Sequence, residues 1–322
     1  MNGAFNPASD RLELDVITVG EAMALLMACE PVPLDQVARF ERATAGAELN
    51  VSVGLARLGF KVGYVSRLGM DSLGRHLRAF METEGIDLRH VREDERYPTG
   101  FMLKSMAIDG SDPQIEYFRR GSAASHMSMD DMPAGLARQA RLLHLTGISP
   151  ALSNTCFDLV FALAAQARSA GRLVSFDPNL RPRLWPSQAA MVTTLNELAA
   201  QADLVLPGLA EGRLLTGCEH AEGIADFYLA RGARQVVVKL GPEGAYYASA
   251  AERGIAPGRR VERVVDTVGA GDGFAVGVLS ALLEGLPLAA AAARGNAIGA
   301  RVVQFRGDCE GLPNRAQLDV AG

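Results

Sequence analysis

Lysine is almost missing from this sequence: of 32 basic residues only Lys61, Lys104 and Lys239 carry an ammonium. None of the three follows a glycine, so the Gly-Lys step of a P-loop is absent. Protein-kinase signatures are missing too. With a net charge of -5, positive charge is too thin for a broad nucleic-acid-binding face. An anionic ligand would have to be met by a local arginine pocket. Cysteine is scarce as well. Cys29, Cys156, Cys218 and Cys309 lie far apart with no C-x-x-C pair, which argues against a zinc knuckle or redox dithiol and fits a reducing cytoplasm. The five histidines never stand four residues apart and no H-E-x-x-H occurs, so a histidine metal centre is not expected. Apolar runs stay short of the ~20 residues a membrane span needs, and Glu21 interrupts the best N-terminal candidate. Neither a span nor a signal peptide is expected.

Glycine, by contrast, is abundant: 34 of 322 residues, above the usual share of about 7%. Close backbone approach must matter somewhere. With 48% hydrophobic and 21% charged residues the composition is that of a folded globular chain. Asp15–Gly20 reads as a buried strand, Glu48–Leu58 as a helix, Val62–Leu68 as a strand, and Asp71–Glu84 as a helix stopped by Gly85. The alternation resumes with strand Leu142–Thr146, helix Asn154–Ser169, strand Leu173–Asp177, a helix after Ser187, and strands Asp203–Leu206 and Gln235–Leu240. Helices about Ala270–Glu284 and Leu288–Gln304 close the chain. This order predicts an α/β fold with a largely parallel sheet between helical layers.

One stretch breaks the pattern. Thr99–Ala107 and Gln114–Arg119 read as strands joined by a turn around Asp109–Pro113. With the Pro31–Phe40 region this hairpin is expected to form a small sheet over one end of the main domain. It would be a lid made of about 30–45 and 97–120 within a single domain, 1–322. An ordinary surface hairpin gives the same pattern.

The segment Asp266-Thr-Val-Gly-Ala-Gly-Asp-Gly-Phe274 sets a glycine cluster between a β-rich run, Val261–Val265, and a helix. At a helix start the free N–H groups of Gly269, Ala270 and Gly271, with the positive dipole end, favour a phosphate or a developing anion. Asp272 is the odd member. A carboxylate repels an anion there, unless its task is to take a proton from a hydroxyl attacking phosphorus. The plain alternative, an acidic residue in a first helical turn, fits the spacing equally. G-x-G-x-x-G fails at Phe274, and the turn lies too near the C-terminus for a leading dinucleotide-binding unit, which disfavours a dehydrogenase.

Asp266–Phe274, together with Ala45-Gly-Ala-Glu-Leu-Asn50 and Val238-Lys-Leu-Gly-Pro-Glu-Gly-Ala245, resembles the ribokinase-like (PfkB-type) sugar kinases over nearly the whole chain. Within that family Tyr117-Phe-Arg-Arg-Gly-Ser-Ala123, Asp177-Pro-Asn-Leu-Arg-Pro-Arg-Leu-Trp185 and Arg306-Gly-Asp-Cys-Glu-Gly311 look like 2-keto-3-deoxygluconate kinase. The resemblance implies a ribokinase-like three-layer α/β/α sandwich with a small β lid, and an exposed lid sheet is expected to serve a homo-oligomer. It implies ATP-dependent phosphorylation of the sugar acid at C6, with Asp272 as base and Gly269, Ala270 and Gly271 as anion hole. Gly46, Asn50, Met102, Tyr117, Phe118, Arg119, Asn179, Leu180, Arg181 and Asp308 would meet the sugar acid, whose carboxylate suits the guanidinium forks of Arg119 and Arg181. Gly208, Lys239, Leu240, Gly241, Pro242, Glu243, Gly244, Ala245 and Asn296 would meet the nucleotide, together with Gly269, Ala270 and Gly271. Glu211 would act on Mg²⁺ through water, and Asp266 has a place for a monovalent cation, K⁺.

Departures from the family pattern bear on these roles. Gly208 replaces an asparagine, Leu25 an aspartate usual in fructokinases and ribokinases, Met102 a tyrosine, and Ala45 a glycine. The alternatives are another sugar kinase, for fructose, a ketodeoxygalactonate or 5-dehydro-2-deoxygluconate, and a non-catalytic sugar-acid-binding regulator. Arg119 and Arg181 on their own also read as a solvated edge-strand charge and part of a proline-fixed turn.

Overall fold

On strand β1 (Leu14–Val19), Val16 enters one hydrophobic core while Ile17 and Val19 enter another. Burial on both faces with a period of two is the pattern of a parallel sheet covered by helices on each side. The computed structural model describes residues 12–106, 112–133 and 135–320. Chain order continues through β2 (Met23–Ala28), β3 (Phe40–Ala45), β4 (Val62–Gly69), β5 (Asp87–Asp94), β6 (Phe101–Lys104) and β7 (Ile115–Phe118). The second half adds β8 (Ala140–Thr146), β9 (Leu173–Asp177), β10 (Leu204–Val205), β11 (Gln235–Lys239), β12 (Gly244–Ser249) and β13 (Arg253–Pro257). The main sheet runs β13-β12-β11-β10-β9-β8-β1-β4-β5 and is parallel except at the β11–β12–β13 edge.

Helices α1 (Ala47–Arg57) and α2 (Ser72–Thr83) pack on one face, and α3 (Asn154–Ser169) and α4 (Gln188–Ala199) on the other. Of the short pair α5 (Leu209–Thr216) and α6 (Ala221–Leu229), both join the α3 side; α7 (Ala270–Leu283) and α8 (Leu288–Val302) join α1. A last helix, α9, spans Arg315–Val320. Three layers result. The expected stop of α2 is in place: Asp71 accepts from Gly74 N at 2.7 Å to open the helix, and Gly85 follows it with φ +73°.

A second sheet, β3-β2-β6-β7, holds its own small core of Met23, Leu25, Met27, Ala45 and Met102. This small sheet takes in the expected hairpin, with two corrections. Its inner strand β2 lies outside the expected bounds, because Met23–Ala28 is apolar throughout and shows no alternation that would mark a strand. Pro31–Phe40 supplies a short 3-10 turn at Leu34–Gln36 rather than a strand, and β3 starts at Phe40. Most of the turn expected around Asp109–Pro113 lies outside the described residues. The β-rich run Val261–Val265 is not a strand: Val265 N bonds to Val303 O, and Val261 and Val264 line a cavity instead of pairing with a sheet neighbour.

Candidate active site

The parallel strands end on one side, and polar residues collect there, as open α/β sheets dictate. Asp177 closes β9 and Lys239 closes β11; their side chains meet at 2.6 Å. Beside them is a cavity of about 420 Å³ between the sheet and the lid. Gly46, Asn50, Met102, Tyr117, Arg119, Asn179, Arg181 and Asp308 all line it, together with Glu211, Gly269, Gly271 and Asp272. Two residues assigned to the sugar do not. Phe118 stacks on Phe101 with ring centroids 4.6 Å apart and is 48% exposed, because strand alternation turns it away from Tyr117. Leu180 packs against the core and contributes its N–H to Glu211 at 2.8 Å.

Gly46 opens α1 with φ +136°, and a Cβ there would stand 2.5 Å from Glu21 O. Glycine is required for the chain to pass so close to the cavity wall. One turn on, Asn50 donates to Asp272 Oδ2 at 2.7 Å, while its own Oδ1 is buried with no donor among the described residues. That oxygen is available to a hydroxyl. Asn179 reaches Asp272 Oδ1 at 3.4 Å. It stands at φ +40°, a left-handed conformation asparagine tolerates, and Asp177 Oδ1 accepts its N–H at 3.2 Å to hold the turn.

Asp272 thus sits in the first turn of α7, buried, with an amide on each carboxylate oxygen. Burial pushes its pKa up to about 7; the Asn50 hydrogen bond pulls the other way, and Asp177 and Asp308 add to the rise. Ahead of it, Gly269 takes φ +82°, where a Cβ would run into Asp308 O. Ala270 N closes the turn on Thr267 O at a long 3.4 Å, and the N–H groups of Gly269 and Gly271 have no backbone acceptor among the described residues. A carboxyl poised near neutrality beside free amides has a measurable signature if it serves as a base. We expect kcat/KM to be flat above pH ~7 and to fall about tenfold per unit below it, because only ionised Asp272 accepts a proton. A profile without a bend between pH ~6 and ~8 would remove Asp272 as the base.

A second cavity of about 710 Å³ adjoins the first and shares Lys239, Thr267 and Gly271 with it. Of the residues assigned to the nucleotide, Lys239, Gly241, Pro242, Gly244, Ala270, Gly271 and Asn296 line it. Gly208, Leu240, Glu243, Ala245 and Gly269 are not in its wall, and Gly269 lines the first cavity instead. The Asn296 amide is spent on Ala256 O and Pro257 O at 2.9 and 3.1 Å, so it holds the end of β13 rather than presenting donors to a base. Phe274, Gly299 and Val303 also line the cavity. Sequence reading missed them because small and apolar residues on helices look like core.

Lys239 is kept charged by Asp177 and Glu211 against the burial that opposes it; Asp177 is itself pushed up to about 6 by burial. Glu211 accepts from Leu180 N and Gly208 N at 2.8 and 2.7 Å, fixing its carboxylate at the cavity edge. At Gly208 a Cβ would meet Glu211 Oε2 at 3.1 Å, so the glycine leaves that carboxylate room.

The two arginines differ. Arg119 is held by Glu21, with Nη2 and Nε both on Oε2 at 2.5 and 2.6 Å, and Glu21 also accepts from Ser122. Its Nε–Nη2 edge is taken. Arg181 donates to the carbonyls of Asn179 and Leu180 and has no ion pair among the described residues, and its charge acts on Asp272 and Asp308 in the same cavity wall. Asp266, in turn, is met by Lys104, whose Nζ lies 2.5 Å from Asp266 Oδ2 and 2.9 Å from Asp308 Oδ1. Lys104 was not among the expected site residues, since an isolated lysine on a lid strand carries no motif.

Comparison with known proteins follows the same lines. The family model of the pfkB family carbohydrate kinases matches residues 13–315. The chain is 50% identical over 308 residues to 2-dehydro-3-deoxygluconokinase of Bacillus subtilis (strain 168), covering 95% of each. Among solved structures it is similar to a PfkB protein from Polaromonas sp. JS666, with a TM-score of 0.88 at 53% identity over 95% of this chain and 99% of that one. It is also similar to a double-mutant fructokinase from Vibrio cholerae O395 bound to fructose, ADP and potassium ion. There the TM-score is 0.82 at 27% identity, over 95% of this chain and 98% of the other.

Proposed function

The chain belongs to the pfkB family of carbohydrate kinases, and from that premise we propose that it transfers the γ-phosphoryl group of ATP to the C6 hydroxyl of 2-keto-3-deoxygluconate. The observation that carries this reading is the position of Asp272 where the two cavities meet, beside Lys239, Thr267 and Gly271 that line both. A sugar hydroxyl held by Asn50 would lose its proton to Asp272 as its oxygen attacks the γ-phosphorus and the bond to the β-phosphate oxygen breaks. Gly269 and Gly271 amides would bind the charge on the transferring group, so catalysis is mainly positioning and electrostatics. Mg²⁺ on the ATP phosphates would screen their charge, and Glu211 is the acid placed to hold it through water. Lid closure would exclude water from the transfer. Such a kinase would work in the cytoplasm, and the exposed Phe118 face of the lid offers the place for a homo-oligomer contact.

Arg181 supports the choice of a sugar acid over a neutral sugar. ADP release measured over 2-keto-3-deoxygluconate, ketodeoxygalactonate, 5-dehydro-2-deoxygluconate and fructose should be fastest with the first. Arg181→Ala should raise the KM for the sugar acid about ten- to hundredfold and leave that for ATP nearly unchanged, the loss of one charge-assisted hydrogen bond. Preference for fructose, with no effect of Arg181→Ala, would move the assignment to a neutral sugar.

A further inference from the structure

We propose that the Lys104 ammonium is a built-in substitute for a free monovalent cation at Asp266, so that this kinase positions its anion-hole turn without potassium. The inference rests on the sugar-kinase reading for its activity assay alone. Asp266 and Asp308 come from two loops, one before α7 and one after α8, and both carboxylates are buried. Asp266 Oδ1 accepts from Val268 N at 3.1 Å and Oδ2 from Gly307 N at 3.3 Å, so this one side chain joins the two loops. The join matters because Gly269, the cap of α7, packs directly on Asp308 O.

Two buried carboxylates within reach of one cation repel each other unless that cation is present. The positive charge already comes from the chain: Lys104 has a side chain 3% exposed and touches both carboxylates. Burial works against its charge, yet Asp308 and Asp266 together raise its pKa. An ammonium is close to potassium in size and charge, and it already holds one oxygen of each carboxylate. Unlike a free ion it is tethered to β6, whose Met102 lines the sugar cavity. The lid strand and the turn that binds the transferring phosphoryl group are thereby joined through one charge. The fructokinase solved with potassium bound is a relative in which a free ion is present. Here the Lys104 ammonium already stands between Asp266 and Asp308.

The test compares potassium chloride with tetramethylammonium chloride at equal ionic strength. For the unaltered protein we expect turnover within about twofold in the two salts, and a melting temperature that does not respond to potassium. The proposal is overturned if potassium raises turnover about tenfold or more with saturation, or raises the melting temperature where tetramethylammonium does not. Absence of phosphorylation in both salts would count against the sugar-acid reading, and the melting comparison would still decide the cation question. Lys104→Met leaves the two carboxylates unneutralised. Its turnover in tetramethylammonium should drop about ten- to hundredfold, as for a lost charge-assisted contact. Potassium or ammonium ion should restore at least part of it and raise the variant's melting temperature. A folded Lys104→Met protein with near-normal turnover in tetramethylammonium, or one that neither ion restores, would refute the substitution of cation by side chain.

Discussion

Asp272→Asn should lower kcat by about 10²–10⁴ while ATP binding stays nearly unchanged, since a positioned base commonly contributes that range. The substitution keeps the shape and the helix start; one of the two neighbouring amides keeps its acceptor, and Asn50, whose Oδ1 is unpaired among the described residues, accepts from the new NH2 by turning its amide. Stability should not suffer. The carboxyl has a folded pKa of about 7 against an ordinary 3.8, so its ionisation opposes folding above pH ~7 and the penalty fades between those values as pH falls. The neutral amide of the variant carries no such cost, so its melting temperature at pH ~8 should equal or exceed that of the parent, and the difference should vanish near pH ~4. If Asp272 merely opens a helix, turnover survives, because asparagine serves there as well. Turnover at saturating substrates, ATP binding by calorimetry and melting at both pH values separate the two; near-normal turnover in a folded variant would sink the assignment.

Arg119→Ala should act mainly on the fold. From sequence, Arg119 was expected to grip the sugar carboxylate alongside Arg181, but its Nε–Nη2 edge is closed on Glu21, which is 1% exposed. Removing one member of a buried ion pair leaves the other uncompensated, typically costing about 3–5 kcal/mol, which in a chain of this size lowers the melting temperature by roughly 5–10 °C. Replacing both partners, Arg119→Met with Glu21→Gln, should recover much of the loss, because the desolvated charge is then gone. An unchanged melting temperature, with a rise in sugar KM as large as that for Arg181→Ala, would return Arg119 to the carboxylate.

Much of the scaffold was legible. Helix Asn154–Ser169 and strand Leu173–Asp177 appear with the expected bounds because periodicity and caps there agree. β2 was not, since an unbroken apolar run such as Met23–Ala28 has no period to read, and Val261–Val265 misled because valines facing a cavity look like valines in a sheet. Lys104 shows the same limit at the site: a residue that owes its role to two carboxylates on loops far along the chain leaves no local trace.

Local chemistry alone determined the glycine-rich turn, the placement of Asp272 in it and the alternation that demands a covered parallel sheet, because caps, φ-permissive glycines and side-chain period act over a few residues. Tertiary structure alone decided which charges are free. Arg119 and Arg181 both line the cavity, yet one is paired with Glu21 and the other has no ion pair among the described residues; Asp266 and Asp308 share a cation only when β6 brings Lys104 between them. Charge pairing falls off within a few ångströms and is set by burial, so it is decided by which distant segments the fold brings into contact.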